Sequence, residues 1–67
     1  MRKLRVSVIG VGLVGRTYAY TLLREPYVTE MDLVDIIPGL GDALRQELNV
    51  VAASLGKNLE INAYEDP

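Results

Sequence analysis

Apolar and polar positions along this chain alternate with two different periods. Leu4-Arg5-Val6-Ser7-Val8-Ile9 is rich in β-branched residues and stops at Gly10, which reads as a short buried strand. The next six residues are punctuated by glycine. From Leu13 to Glu25 the period lengthens, with Val14, Tyr18 and Thr21 or Leu22 recurring at helical spacing. Pro26 ends that helix, because the residue before a proline is pushed out of the helical region. Met31–Ile36 reads as a second strand, and Ile37-Pro38-Gly39-Leu40-Gly41 as a loop marked by Pro-Gly. Asp42 is the expected N-cap of a second helix, although Arg45 at its N3 position leaves the capping box incomplete. Leu44, Leu48, Val51 and Leu55 form its apolar stripe, and Gly56 is the expected residue just past its end. Leu59–Ala63 alternates as a third strand.

The order β-α-β-α-β implies an α/β fold with a parallel sheet and right-handed crossovers. It is the pattern of a mononucleotide-binding half, three strands in the order 3-2-1, and makes residues 1–67 one partial dinucleotide-binding (Rossmann) domain. In a complete doubly wound sheet the first strand is central. Here it is expected at an edge, where unpaired backbone groups invite association. The expected partners are a second copy or the missing remainder of the fold.

Composition narrows this further. At 67 residues, no two-lobed enzyme with a cleft fits. At 49% hydrophobic and 24% charged, the chain is too apolar for a disordered tail. There is no Cys and no His, which removes disulfides, thiolate zinc sites and the commonest general base. Seven Lys/Arg against nine Asp/Glu give no basic field for nucleic acid. The one basic cluster, Arg2, Lys3 and Arg5, reads as a solvated start to the first strand. No apolar run approaches the ~18–20 residues of a membrane helix, and a cytoplasmic location is expected.

The segment with most chemical content is Gly10-Val11-Gly12-Leu13-Val14-Gly15. It follows a strand, opens a helix, and is followed 20 residues after Gly15 by Asp35 near the end of the next strand. Together these fit the dinucleotide-binding fingerprint. Gly10 would permit the tight turn, Gly12 the close approach of a pyrophosphate, and Gly15 close packing of helix on sheet. Free N–H groups near Leu13 and Val14 would face phosphate oxygens. Asp35 would bind the adenosine ribose and repel a 2′-phosphate, so the expected cofactor is NAD rather than NADP. A competing reading uses Gly10 to Thr17 as G-x-x-x-x-G-R-T, one residue from a nucleoside-triphosphate phosphate loop, with Arg16 in place of the usual Lys. Arg16 is expected on the exposed face of the first helical turn, where it would help attract phosphate. None of Tyr18, Tyr20 and Tyr27 has a Lys four residues on, so a Tyr-Lys reductase pair is absent.

These residues resemble the start of the lactate/malate dehydrogenase family. The resemblance rests on Val6–Gly15, Ala19-Tyr20, Leu33-Val34-Asp35-Ile36, Glu47-Leu48, Ala52–Gly56 and Tyr64-Glu65-Asp66, with Glu47 and Ala43 departing from the usual Asp and Gly. The segment Ala52–Asp66 leans towards malate-specific, archaeal-type members. The resemblance implies that Gly10, Gly12, Leu13, Val14 and Gly15 line the pyrophosphate, Asp35 the ribose and Ile36 the adenine. It assigns the catalytic His, its orienting Asp and the substrate-binding arginines to segments with no counterpart here. The chain itself is therefore expected to bind rather than catalyse. A stand-alone adenosine- or dinucleotide-binding module, and a structural oligomerisation piece, are the alternatives.

Overall fold

A computed structural model describes residues 3–65. Arg2, Asp66 and Pro67 lie outside the described residues. The elements are β1 (Leu4–Ile9), α1 (Leu13–Leu23), β2 (Val28–Val34), α2 (Leu40–Ser54) and β3 (Glu60–Tyr64). The three strands form one parallel sheet with β2 in the centre, the 3-2-1 order expected of the half fold.

Alternation along each strand sorts its side chains onto two faces. Val6 and Val8 of β1, Met31 and Leu33 of β2, and Ile61 of β3 pack with Ala19 and Leu23 of α1 and Leu44, Leu48 and Ala52 of α2. This is the hydrophobic core. The other face is built from three cross-strand rows: Arg5–Glu30–Glu60, Ser7–Asp32–Asn62 and Ile9–Val34–Tyr64. The first two rows are polar and bonded together. Arg5 Nε donates to Asp32 Oδ2 at 2.7 Å, and Asn62 Nδ2 donates to Asp32 Oδ1 at 3.0 Å. These partners, Arg5 foremost, hold the Asp32 carboxyl below the usual carboxylate range although it is buried. Consequently β1 is not the buried strand its β-branched run suggests. Only Val8 is fully enclosed, because the strand is at an edge with a solvated outer face.

Both helical stripes differ from expectation in the same way. On α1 the residues facing the sheet are Gly15, Ala19 and Leu23, whereas Val14 and Tyr18 are 68% and 63% exposed. On α2 the buried line is Gly41, Leu44, Leu48 and Ala52, and Leu55 points outward. Small residues let each helix approach the sheet closely, and that approach, not side-chain size, sets which face is turned inward. The first helix ends at Leu23, short of Glu25. Asp42 is not the N-cap. Gly39 holds that place in a left-handed conformation, and Asp42 lies in the first turn, where its carboxylate accepts from Arg45 and Gln46. Gly56 follows the C-cap Leu55 with φ +69°, as expected of a terminating glycine.

At the N-terminal end of the strands, Lys57 closes the open end of α1. Its ammonium donates to Leu23 O at 2.6 Å and also to Glu25 O. Lys57→Ala is expected to cost about 1.5–3 kcal/mol, the usual contribution of hydrogen bonds that involve a charged group. Thermal unfolding followed by circular dichroism should show a Tm lower by several degrees.

Candidate functional site

The residues singled out in the sequence gather at the C-terminal ends of β1 and β2, the end at which ligands bind in open α/β sheets. Gly10 leaves β1 with φ +85°, a conformation that disfavours any side chain, while its N–H still bonds Val34 O at 2.7 Å. The chain then turns into α1 at Gly12. Gly15, one turn into the helix, sits directly on this turn: a Cβ there would lie 1.9 Å from Gly10 O and 3.4 Å from Val8 Cγ1.

Gly12 differs from both neighbours. Its φ is −69°, accessible to any residue, and a Cβ there would meet no protein atom within 4 Å. Neither backbone conformation nor packing requires glycine at this place. It is the N-cap of α1, whose first N–H groups belong to Leu13 and Val14. No side chain caps this end and no acidic residue lies in the first turn. The positive end of the helix dipole thus has no neutralising side chain from its own first turn.

Asp35 stands one residue past β2, not within it. Its carboxylate joins two segments: Oδ2 accepts the Val11 N–H at 2.8 Å and Oδ1 the Ile37 N–H at 2.9 Å. These backbone donors hold its carboxyl below the usual range, so it is ionised at neutral pH. A carboxylate offers about four acceptor positions, so roughly two remain for hydroxyl donors. Ile36, 76% exposed, extends beyond it, and with Ile9, Gly10, Val34 and Asp35 lines a shallow depression of about 210 Å³. Along the open side of β1 lies a second depression of about 380 Å³, walled by Ile9, Val14 and Tyr18.

Arg16 is exposed but turned away from this end. Its guanidinium pairs with Glu47 of α2 at 2.5 Å and lies 6.0 Å from the centre of the Tyr20 ring. The Thr17 hydroxyl donates to Leu13 O at 3.0 Å. The two residues that would serve a triphosphate loop are therefore engaged within and between the helices. Glu47 is what the sequence reading left without a task; a short polar clip between α1 and α2 was not legible from its position alone.

One further site-end contact escaped the sequence reading. The carboxylate of Glu65, just past β3, accepts the Gly39 N–H at 3.1 Å and so holds the start of α2 and the loop after Asp35. Among the described residues, no helix is long and apolar enough to cross a membrane.

No protein-family model matches the chain. Individual proteins do. The malate dehydrogenase of Sulfolobus acidocaldarius is 35% identical over 57 residues, 85% of this chain and 19% of the relative. That of Caldivirga maquilingensis is 34% identical over 61 residues, 91% of the chain and 20% of the relative. The L-lactate dehydrogenase of Mesomycoplasma hyopneumoniae is 26% identical over 65 residues, 97% of the chain and 21% of the relative. Over most of its length the chain is a distant relative of malate and L-lactate dehydrogenases, and it spans about one fifth of theirs.

Proposed function

We propose that the chain binds the ADP half of NAD, as the N-terminal segment of a lactate/malate-type dehydrogenase. Gly12 carries this reading. Gly10 and Gly15 are accounted for by the turn and by packing, but Gly12 is needed only if something other than protein approaches the backbone there. A pyrophosphate lying against the α1 N-terminus is that neighbour, held by the N–H groups of Leu13 and Val14. Asp35 takes the adenosine ribose hydroxyls, and Ile36 packs against the adenine. The residues present thus fit the adenosine diphosphate part of the cofactor.

In the longer protein the bound NAD exchanges hydride with a 2-hydroxy acid. The higher identity to malate dehydrogenases leans this assignment towards malate. The base and the carboxylate-binding cation for that reaction have no place in this chain. The open flank of β1 is where the remaining strands, or a second copy, would join. A cytoplasmic location goes with this reading.

The test is a calorimetric titration of the parent chain and Gly12→Ala with NAD, NADP, ADP and ATP. The parent should favour NAD over NADP and show no magnesium-dependent preference for ATP. Gly12→Ala should keep its circular dichroism and Tm while losing about tenfold or more in NAD and ADP affinity, because the methyl group occupies the pyrophosphate's approach. Equal binding by the two proteins would refute the reading. So would tighter magnesium-dependent binding of ATP.

A further inference from the structure

The two helix N-termini at this end of the sheet are treated differently. That of α1 has no side-chain cap and no acid in its first turn, and Asp35 bonds the Val11 N–H just before it. That of α2 begins at Gly39, which has no side chain to cap it, and receives the Glu65 carboxylate from 26 residues away. Asp42, the acid in the first turn of α2, is committed to Arg45 and Gln46. Glu65 is therefore the group that supplies negative charge to the exposed end of this helix dipole.

Its place relative to Asp35 is fixed by the sheet. The Asp35 N–H donates to Tyr64 O at 3.0 Å, so Glu65 follows directly on the residue paired with Asp35. The two carboxylates then grip the same short loop from either side, Asp35 at the Ile37 N–H and Glu65 at the Gly39 N–H. Two residues of chain separate those N–H groups by at most ~7 Å. A phosphate esterified to a ribose hydroxyl held by Asp35 would enter this neighbourhood. With Glu65 absent it would meet the positive end of α2; with Glu65 present it meets a second anion.

We propose that Glu65 is a second specificity-determining residue of the site, which by occupying the α2 N-terminus excludes a 2′-phosphorylated adenosine. This rests on the reading of the site as an adenosine diphosphate site. Asp35 discriminates at the ribose itself, whereas Glu65 closes the α2 end, which would otherwise reward the extra phosphate.

The experiment compares ADP with ADP phosphorylated at the ribose 2′ oxygen, on the parent chain, Glu65→Gln and Asp42→Asn. Glutamine keeps an acceptor for the Gly39 N–H while removing the charge. Glu65→Gln is expected to raise the affinity of the 2′-phosphorylated ligand relative to ADP by about two- to fivefold at low ionic strength. High salt should erase most of the gain. Asp42→Asn removes the same charge from the same helix but should leave the ratio near that of the parent. An unchanged ratio in Glu65→Gln, with ADP still bound, overturns the role of Glu65 alone. An equal gain in Asp42→Asn overturns it as well, since a general field would then suffice. Failure of the parent chain to bind ADP overturns the adenosine diphosphate site, and Glu65's role with it.

Discussion

Gly15→Ala is expected to abolish cooperative folding. The new methyl carbon would lie 1.9 Å from Gly10 O and 3.0 Å from Gly10 C, both backbone atoms that no rotamer change can move. Either α1 retreats from the sheet or the turn at Gly10 is rebuilt. Retreat pulls Ala19 and Leu23, both fully buried, away from the β1–β2 core. Rebuilding the turn breaks the Gly10 N–H bond to Val34 O. Overpacking in a close-packed site costs about 1–3 kcal/mol and more where backbone must shift. A chain of this length has a total stability of roughly 3–10 kcal/mol to lose. The expected result is a broad thermal transition, or none, in circular dichroism. A sharp melt near that of the parent would show that α1 does not rest on the turn as described. Gly12→Ala is the matched control, three residues away and with nothing in its path.

Asp35→Ala has the largest expected effect on binding that leaves the chain folded. NAD and ADP should bind about ten- to a hundredfold more weakly, since charge-assisted hydrogen bonds to the ribose are lost and the loop after β2 is freed. The substitution also leaves the Val11 and Ile37 N–H groups without their acceptor. Its pH signature has a definite sign. The folded carboxyl titrates below its unfolded value of about 3.9. Its contribution to stability is therefore complete above that value and is lost as pH falls through the lower folded one. The parent should lose stability on acidification below about pH 4, and Asp35→Ala should show a shallower acid decline. Undiminished NAD affinity in Asp35→Ala would remove the ribose role.

The element order, the parallel sheet and its strand order were legible because β-branched runs and helical spacing alternate cleanly between glycines and prolines. The tasks of Gly10 and Gly15 were also legible, since a turn into a helix poses the same steric demands in any chain. What escaped was orientation. Val14, Tyr18 and Leu55 look like core by size and period, yet the inward faces are marked by Gly15 with Ala19 and Gly41 with Ala52, with Val51 half-buried against the core. The signal was present as small residues four or more apart, but it has meaning only once a backbone to be approached is known. Long-range polar partners were illegible for a related reason. Arg16 with Glu47, Lys57 with the end of α1, and Glu65 with Gly39 join positions 26 to 34 residues apart, and no local pattern encodes them.

The polar rows on the outer face of the sheet govern how this unit can grow. A layer laid over Arg5, Ser7, Glu30, Asp32, Glu60 and Asn62 would have to strip water from two carboxylates, Glu30 and Asp32, that share one guanidinium, and from a third, Glu60, that accepts from Asn62. Only the Ile9–Val34–Tyr64 row, beside the proposed nucleotide site, offers apolar contact on that side. The sheet is thus built to be widened in its own plane from β1 and to stay hydrated across most of its back, with any covering element confined to the corner where the ligand would lie.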